Sequence, residues 1–384
     1  MFKKSCIYPG SISSQRRNFS LPCVYLVRGP AMVSLLGTCH VLGKDITNDK
    51  VSVEVGKILP FDINSPCKIH VDLSKGGRAW LSDPSNAGTT IWQEIIQRIF
   101  IEKPRTILII GESDTGKSTL ATYIINLALK SAYTPAIVDG DVGQGDLAPP
   151  NAIGAAVVRD QITDLREINT HFFEFVGNIN PLGFEDVIIK AIKNAVKEIS
   201  SHCNLCIINT DGYILNKGID YKVRLANELR ADVVIHLGEA SIFENFKTKF
   251  ASSAILHGQP PCKTIKSKIE RRKRRLSQFL RYISEDDEIK IITKELKNTK
   301  FVYKGIVYSK TCKDHYRSLK LGHRRRMRVR PRKLLYMFVG LGYREEIIGF
   351  GIITNVSSHR ITIQTPIDNF NKIYLSSSKI EIIS

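Results

Sequence analysis

The sequence predicts an α/β protein: a central domain on a mostly parallel sheet, flanked by small N-terminal and C-terminal β domains. Three observations carry this expectation. Between residues 101 and 295, short apolar runs alternate with helical patterns. One of those runs ends in a glycine-containing loop that leads into a helix. Outside that span, β-like runs punctuated by Gly and Pro occupy both ends of the chain.

The 384 residues suffice for two or three domains, and 43% hydrophobic with 24% charged residues describes a globular chain. Residues 1–20, with Gln15, Arg16, Arg17 and Asn18, read as a polar tail. Residues 21–100 read as the N-terminal β domain. Its runs are Val24–Val27, Met32–Leu36, Val51–Val55 and Ile69–Leu73, before a helical stretch over Trp92–Phe100. In residues 101–295 the buried strands are expected at Thr106–Ile110, Ala136–Val138, Leu205–Asn209 and Val233–Leu237. A helix from Lys117 carries Leu120, Ile124 and Leu127, and another runs through Ile189–Val196. Residues 296–384 form the C-terminal β domain, with runs at Phe301–Tyr303, Leu334–Val339, Ile347–Ile353 and Arg360–Ile363.

The loop after Ile110 reads Gly111-Glu112-Ser113-Asp114-Thr115-Gly116-Lys117-Ser118, followed by Thr119. This is the G-x-x-x-x-G-K-[ST] spacing of a P-loop. Gly111 and Gly116 let the backbone curl so that its N–H groups face phosphate oxygens, Lys117 adds charge, and the Ser118 hydroxyl suits Mg²⁺. The helix that follows presents its positive end to the anion. The chain therefore binds a nucleoside triphosphate or derives from one that did.

Other segments leave strands of the same domain. Asp139-Gly140-Asp141-Val142-Gly143-Gln144 sets two carboxylates at a strand tip, one suited to Mg²⁺ and one to taking a proton from an attacking hydroxyl. Thr210-Asp211-Gly212-Tyr213 offers a hydroxyl, a flexible glycine and an aromatic ring for a sugar–phosphate and a base, or a plain turn. Asn216-Lys217-Gly218-Ile219-Asp220 misses the N-K-x-D spacing of GTPases by one residue. Lys263–Arg281 is densely basic and reads equally as a solvated helix face or a cap over transferring phosphate.

The formal charge of +19 points to a polyanionic partner, and no apolar run approaches the roughly 20 residues of a membrane span. The second basic block, Lys310–Lys333 with Arg324, Arg325 and Arg326, suits a phosphate backbone. The eight cysteines are scattered, and Cys206 reads as a buried strand thiol rather than a zinc ligand. With no signal-like segment near Lys3 and Lys4, the expectation is a soluble intracellular protein, cytoplasmic if its source is prokaryotic or archaeal.

Taken together these residues resemble the polynucleotide 5′-hydroxyl-kinase family, which acts in mRNA 3′-end formation, tRNA splicing and pre-rRNA processing and has shorter archaeal members. Beyond the P-loop, its D-x-D-x-G-Q pattern falls on Asp139–Gln144, and its T-x-G-W clasp on Thr210, Gly212 and Tyr213, with Tyr in place of Trp. Its R-x-x-x-R lid fits Arg271 and Arg275, and Gly29-Pro30-Ala31 and Gly349-Phe350-Gly351-Ile352 also resemble the family. The resemblance implies transfer of the ATP γ-phosphate to the 5′-OH of RNA, with DNA as an alternative substrate. In that reading Lys117 contacts phosphate, Ser118 with Asp139 and Gln144 serves Mg²⁺, and Asp141 activates the 5′-OH. The clasp residues then grip the terminal nucleotide. Rival readings are a nucleotide-bound scaffold within an RNA-processing complex and a GTPase or small-molecule kinase.

Overall fold

The computed structural model describes residues 13–20, 22–84, 89–250, 253–260, 266–284, 289–309, 319–321, 327–329 and 331–380. The chain folds into two compact units. The first comprises Met1–Ile137, Val157–Ile168 and His202–Glu270, and the second Val138–Ala156, Asn169–Ser201 and Arg271–Ser384.

The first unit begins with two β-sheets. One has the order Ser13–Phe19, Cys67–Leu73, Ala31–Leu36, Lys50–Val53; the other Lys44–Thr47, Thr38–Val41, Ile58–Ile63, Cys23–Arg28, Arg78–Ser82. Period-two patterning explains them: in Cys67–Leu73 the odd-numbered side chains are buried and the even-numbered ones lie toward solvent. Ser13–Phe19 falls within the stretch expected to be a tail. It pairs antiparallel with Cys67–Leu73 from Ser13↔Leu73 to Phe19↔Cys67. An edge strand needs few apolar residues, since pairing and a few side-chain contacts suffice, among them Phe19 against Tyr25 with ring centroids 5.4 Å apart and Tyr25 OH on Gln15 Oε1 at 3.2 Å. Its charges also discourage further strand addition.

The same unit then builds an α/β layer. The strands Leu205–Thr210, Thr106–Gly111, Val233–Leu237 and Ala254–Gly258 lie side by side in that order, all parallel. The first three are mostly apolar, in keeping with the burial of nearly every residue. Helix Lys117–Lys130 buries Leu120, Ala121, Ile124, Ile125 and Ala128, while Leu127 is half-buried.

In the second unit, Ala152–Val157 pairs antiparallel with Phe172–Phe175, and helix Glu185–Ile199 buries Ile188, Ile192 and Ala195. A seven-stranded sheet orders Lys290–Glu295, Arg360–Thr365, Glu346–Val356, Phe338–Tyr343, Lys372–Tyr374, Lys300–Tyr303 and Ile306–Ser309. Phe338, Phe350, Phe175 and Phe279 pack on it. The run Leu334–Val339 is not one strand. Pro331 opens a short helix, Pro331–Leu334, and Tyr336 has φ 61°, so the strand starts only at Phe338.

Candidate functional site

Strand Thr106–Gly111 delivers its buried carboxyl end to the glycine loop. A Cβ on Gly111 would collide with the carbonyl oxygen of Leu237 on the adjacent strand, so only glycine fits there. Gly116, at φ 94°, caps helix Lys117–Lys130 in the left-handed conformation that turns the loop into the helix. Lys117 is buried, and its Nζ donates to the carbonyls of Gly111 (2.9 Å) and Glu112 (2.6 Å). Thr115 Oγ1 donates to Glu112 O at 2.9 Å, closing the loop. Ser118 Oγ meets Asn209 Nδ2 at 3.3 Å, and Asp114 pairs with Lys266 Nζ at 3.0 Å. Ser113 is exposed, and Thr119 lies half-buried in the first helical turn.

The clasp candidates lie beside this loop in the same unit. Thr210 ends its strand, buried, with Oγ1 donating to Ile109 O at 2.9 Å. A Cβ on Gly212 would run into Ser113 Oγ and lie 2.6 Å from Ser113 N, so the turn sits directly on the phosphate loop. Tyr213 is half-buried, and its N–H donates to Asp211 Oδ1 at 2.9 Å.

The second unit holds the carboxylates and the arginines expected to form a lid. Asp139 is buried at its strand end, and its Oδ2 accepts from the N–H of Asp146 (2.5 Å) and Leu147 (3.3 Å). Its Oδ1 faces Asp141 N at 3.3 Å, so Asp139 shapes the loop it opens. Asp141 is half-buried, with Oδ1 accepting from Gly143 N (3.0 Å) and Gln144 N (2.9 Å); the Gln144 side chain is half-buried too. Arg271 and Arg275 lie one turn apart on helix Lys268–Ser284. Desolvation first, then the like charges of Arg271 and Arg272, push the Arg275 guanidinium below its usual range, against the attraction of Asp141. Arg275 and Asp141 thus sense one another. Arg324, Arg325 and Arg326 lie outside the described residues.

Sequence reasoning missed the parts that fix these loops. Arg274 Nη2 meets Asp146 Oδ1 at 2.5 Å, Gln278 Nε2 donates to the carbonyls of Gly145 (3.1 Å) and Asp146 (3.2 Å), and Tyr282 OH donates to Leu147 O at 2.5 Å. The i, i+4, i+8 spacing of Arg274, Gln278 and Tyr282 was the available signal, hidden among neighbouring cations. Behind the clasp, Asp211 pairs with the fully buried Lys222 at 2.9 Å. Among the described residues no group of three or more His, Cys, Asp or Glu side chains is arranged to hold a metal by itself. The residues expected to serve Mg²⁺ offer oxygen donors, a serine hydroxyl in the first unit and carboxylate and amide oxygens in the second, of the kind that suits this ion.

Strand, glycine loop and helix of this geometry, beside a parallel sheet, define a P-loop protein. Residues 111–285 match the family model described as mRNA cleavage and polyadenylation factor CLP1 P-loop. A polyribonucleotide 5′-hydroxyl-kinase of Pyrococcus horikoshii is 29% identical over 137 residues, 36% of this chain and 38% of that protein. One of Methanocaldococcus jannaschii is 32% identical over 152 residues, 38% of this chain and 42% of that one. A CLP1 homologue of Brugia malayi is 27% identical over 166 residues, covering 40% and 38%. The chain spans about two fifths of the length of these curated relatives. The fold is that of Clp1p as solved with Pcf11p: TM-score 0.72, 13% identity, 96% of this chain and 99% of that one. The chain is thus similar to the CLP1 P-loop family model over residues 111–285 and, over parts of its length, to proteins named polyribonucleotide 5′-hydroxyl-kinases and CLP1 homologues.

Proposed function

We propose that the chain is an ATP- and Mg²⁺-dependent polynucleotide 5′-hydroxyl kinase acting on RNA, with DNA as a further candidate substrate. The observation that carries the reading is the P-loop closed around Lys117, inside the segment that matches the CLP1 P-loop model, in a chain partly similar to proteins named as such kinases. Lys117 and the backbone N–H groups of Glu112–Thr119 hold the triphosphate, and the helix end behind them favours its charge. Ser118, Asp139 and Gln144 are the residues assigned to Mg²⁺, which when bound neutralises charge across the β- and γ-phosphates. Asp141, oriented by two backbone N–H groups, takes the proton of the 5′-OH. Arg275 and Arg271 stabilise charge spreading over the transferring phosphoryl oxygens. Thr210, Gly212 and Tyr213 receive the terminal nucleotide, and Arg324, Arg325 and Arg326 add affinity for the backbone without sequence preference. Protein partners in RNA processing fit the same family.

The test mixes protein, Mg²⁺ and γ-labelled ATP with matched 5′-OH and 5′-phosphate RNA oligomers. Label is expected only on the 5′-OH oligomer. It is lost in Lys117→Ala and in Asp141→Asn, the latter still binding ATP. Absence of label from a protein that binds ATP refutes the kinase reading in favour of a scaffold.

A further inference from the structure

The turn that leaves strand Leu205–Thr210 is held by a group of side chains that the kinase reading leaves unused. Asp211 is 3% exposed, yet its carboxylate has three partners. Oδ1 accepts the N–H of Tyr213 at 2.9 Å. Oδ2 accepts the hydroxyl of Tyr221 at 3.1 Å and faces Lys222 Nζ at 2.9 Å. Lys222 is fully buried, and its ammonium lies 4.3 Å from the centroid of the Tyr221 ring. The Tyr221 ring is stacked with that of Tyr213, centroids 6.5 Å apart and planes 27° from parallel. One carboxylate therefore fixes the backbone of one tyrosine and the hydroxyl of the other.

The turn has no slack on its other sides. Gly212 lies against Ser113 of the phosphate loop, and a Cβ on Gly218 would lie 2.8 Å from Tyr213 O. Tyr221 and Lys222 belong to helix Lys217–Leu229, so the support is part of a regular element rather than a loop. A buried Lys–Asp pair contributes little net stability against an apolar pair of the same volume, and its attested use is to specify one arrangement. Here the arrangement specified is the ring of Tyr213, half-buried and backed by a second ring.

We propose that Asp211, Tyr221 and Lys222 are positioning residues for the terminal nucleotide. They hold the ring of Tyr213 against that of the buried Tyr221, so that Tyr213 presents a fixed stacking face for its base or sugar, beside the phosphate loop. The inference rests on the reading of Tyr213 as a nucleotide clasp. A single tyrosine offers less stacking area than the tryptophan of the T-x-G-W pattern, and base–aromatic stacking gains from a ring that is already immobilised. Tyr221 supplies that immobilisation from behind, and Lys222 holds Tyr221 and Asp211 together.

The experiment measures kcat and KM for a 5′-OH RNA oligomer and KM for ATP in the full chain and in Tyr221→Phe, Tyr221→Leu and the double variant Asp211→Asn with Lys222→Met. The double variant removes both charges together, so no lone charge is left buried. Thermal unfolding establishes that each variant is folded. Tyr221→Leu is expected to raise the RNA KM by about tenfold, with ATP KM within about twofold of the parent. Tyr221→Phe, which keeps the ring and loses one hydrogen bond, is expected to raise it about threefold. The double variant, in which the Asn oxygen still accepts the Tyr213 N–H, should fall between these two. An unchanged RNA KM in folded Tyr221→Leu overturns the proposal, and so does an equal rise in the KM of RNA and ATP. If the parent transfers no phosphate, the kinase reading has failed by itself. Fluorescence anisotropy with the same oligomer then decides the stacking face: weaker binding by Tyr221→Leu supports it, and equal binding overturns it.

Discussion

Replacing Arg274 by Met tests whether the lid helix holds the carboxylate loop. Arg274 and Asp146 meet at 2.5 Å with side chains only 8% and 0% exposed, so neither charge can fall back on water. Removing the cation alone leaves a buried carboxylate, a loss of about 3–5 kcal/mol. In a chain this size, with an unfolding entropy of about 0.8 kcal/mol/K, that lowers the unfolding midpoint by roughly 4–6 °C. Asp146 N is also a donor to Asp139, so a shift there passes to the loop carrying Asp141 and Gln144. A displacement of about 1 Å at a reacting group costs on the order of 10²-fold in turnover. Differential scanning calorimetry and the transfer assay on Arg274→Met, Asp146→Asn and their combination read both effects. Arg274→Met should be the least stable of the three, and the combination should recover most of the midpoint, since an amide in place of the carboxylate needs no cation. A midpoint for Arg274→Met within about 2 °C of the parent, or a combination no better than Arg274→Met, refutes the reasoning.

Gly212→Ala places a methyl against Ser113 of the phosphate loop, and the expected result is roughly tenfold weaker ATP binding by calorimetry; undiminished affinity would contradict that contact. His236 gives a pH dependence. Burial first, then the neighbouring His257 and Lys117, push its imidazole down to about 3. Its folded pKa lies below the unfolded value of about 6.5, so the unfolded chain binds the extra proton. The stability it contributes is present above pH 6.5 and is lost as pH falls toward 3, by at most about 1.4 kcal/mol per unit. Denaturant titrations between pH 7 and 5 should show this slope in the parent and a shallower one in His236→Leu, and equal slopes would assign the effect to other groups.

The phosphate loop was legible because its chemistry is local. Gly111, Gly116, Lys117 and Ser118 act through backbone shape and short reach, and their spacing is their geometry. The buried strands were legible for a related reason, since a strand covered on both faces must be apolar throughout. Ser13–Phe19 was hidden because an edge strand is stabilised by its partner, Cys67–Leu73, and not by its own composition. The end of the run at Leu334–Val339 depended on Tyr336 adopting positive φ, which composition does not announce. Lys222 was the least legible residue: a lysine on an amphipathic helix reads as solvent-facing, and only the fold brings Asp211 within 2.9 Å of it. Asp139 shows the converse, a residue found by its motif whose carboxylate is engaged by backbone N–H groups.

The pairing of Asp114 with Lys266 carries a consequence for how an anion meets the phosphate loop. A polyphosphate approaching this turn meets an aspartate inside the motif itself, a like charge that opposes it. Lys266, 152 residues downstream, offers Asp114 both its backbone N–H at 3.1 Å and its ammonium at 3.0 Å, and the Asp114 side chain is only 6% exposed. The field of this aspartate is offset at its source, so Lys117 and the helix end face an incoming phosphate with one like charge fewer to oppose them. Selectivity for anions at this loop thus depends on a lysine outside the phosphate-loop motif, 152 residues away along the chain.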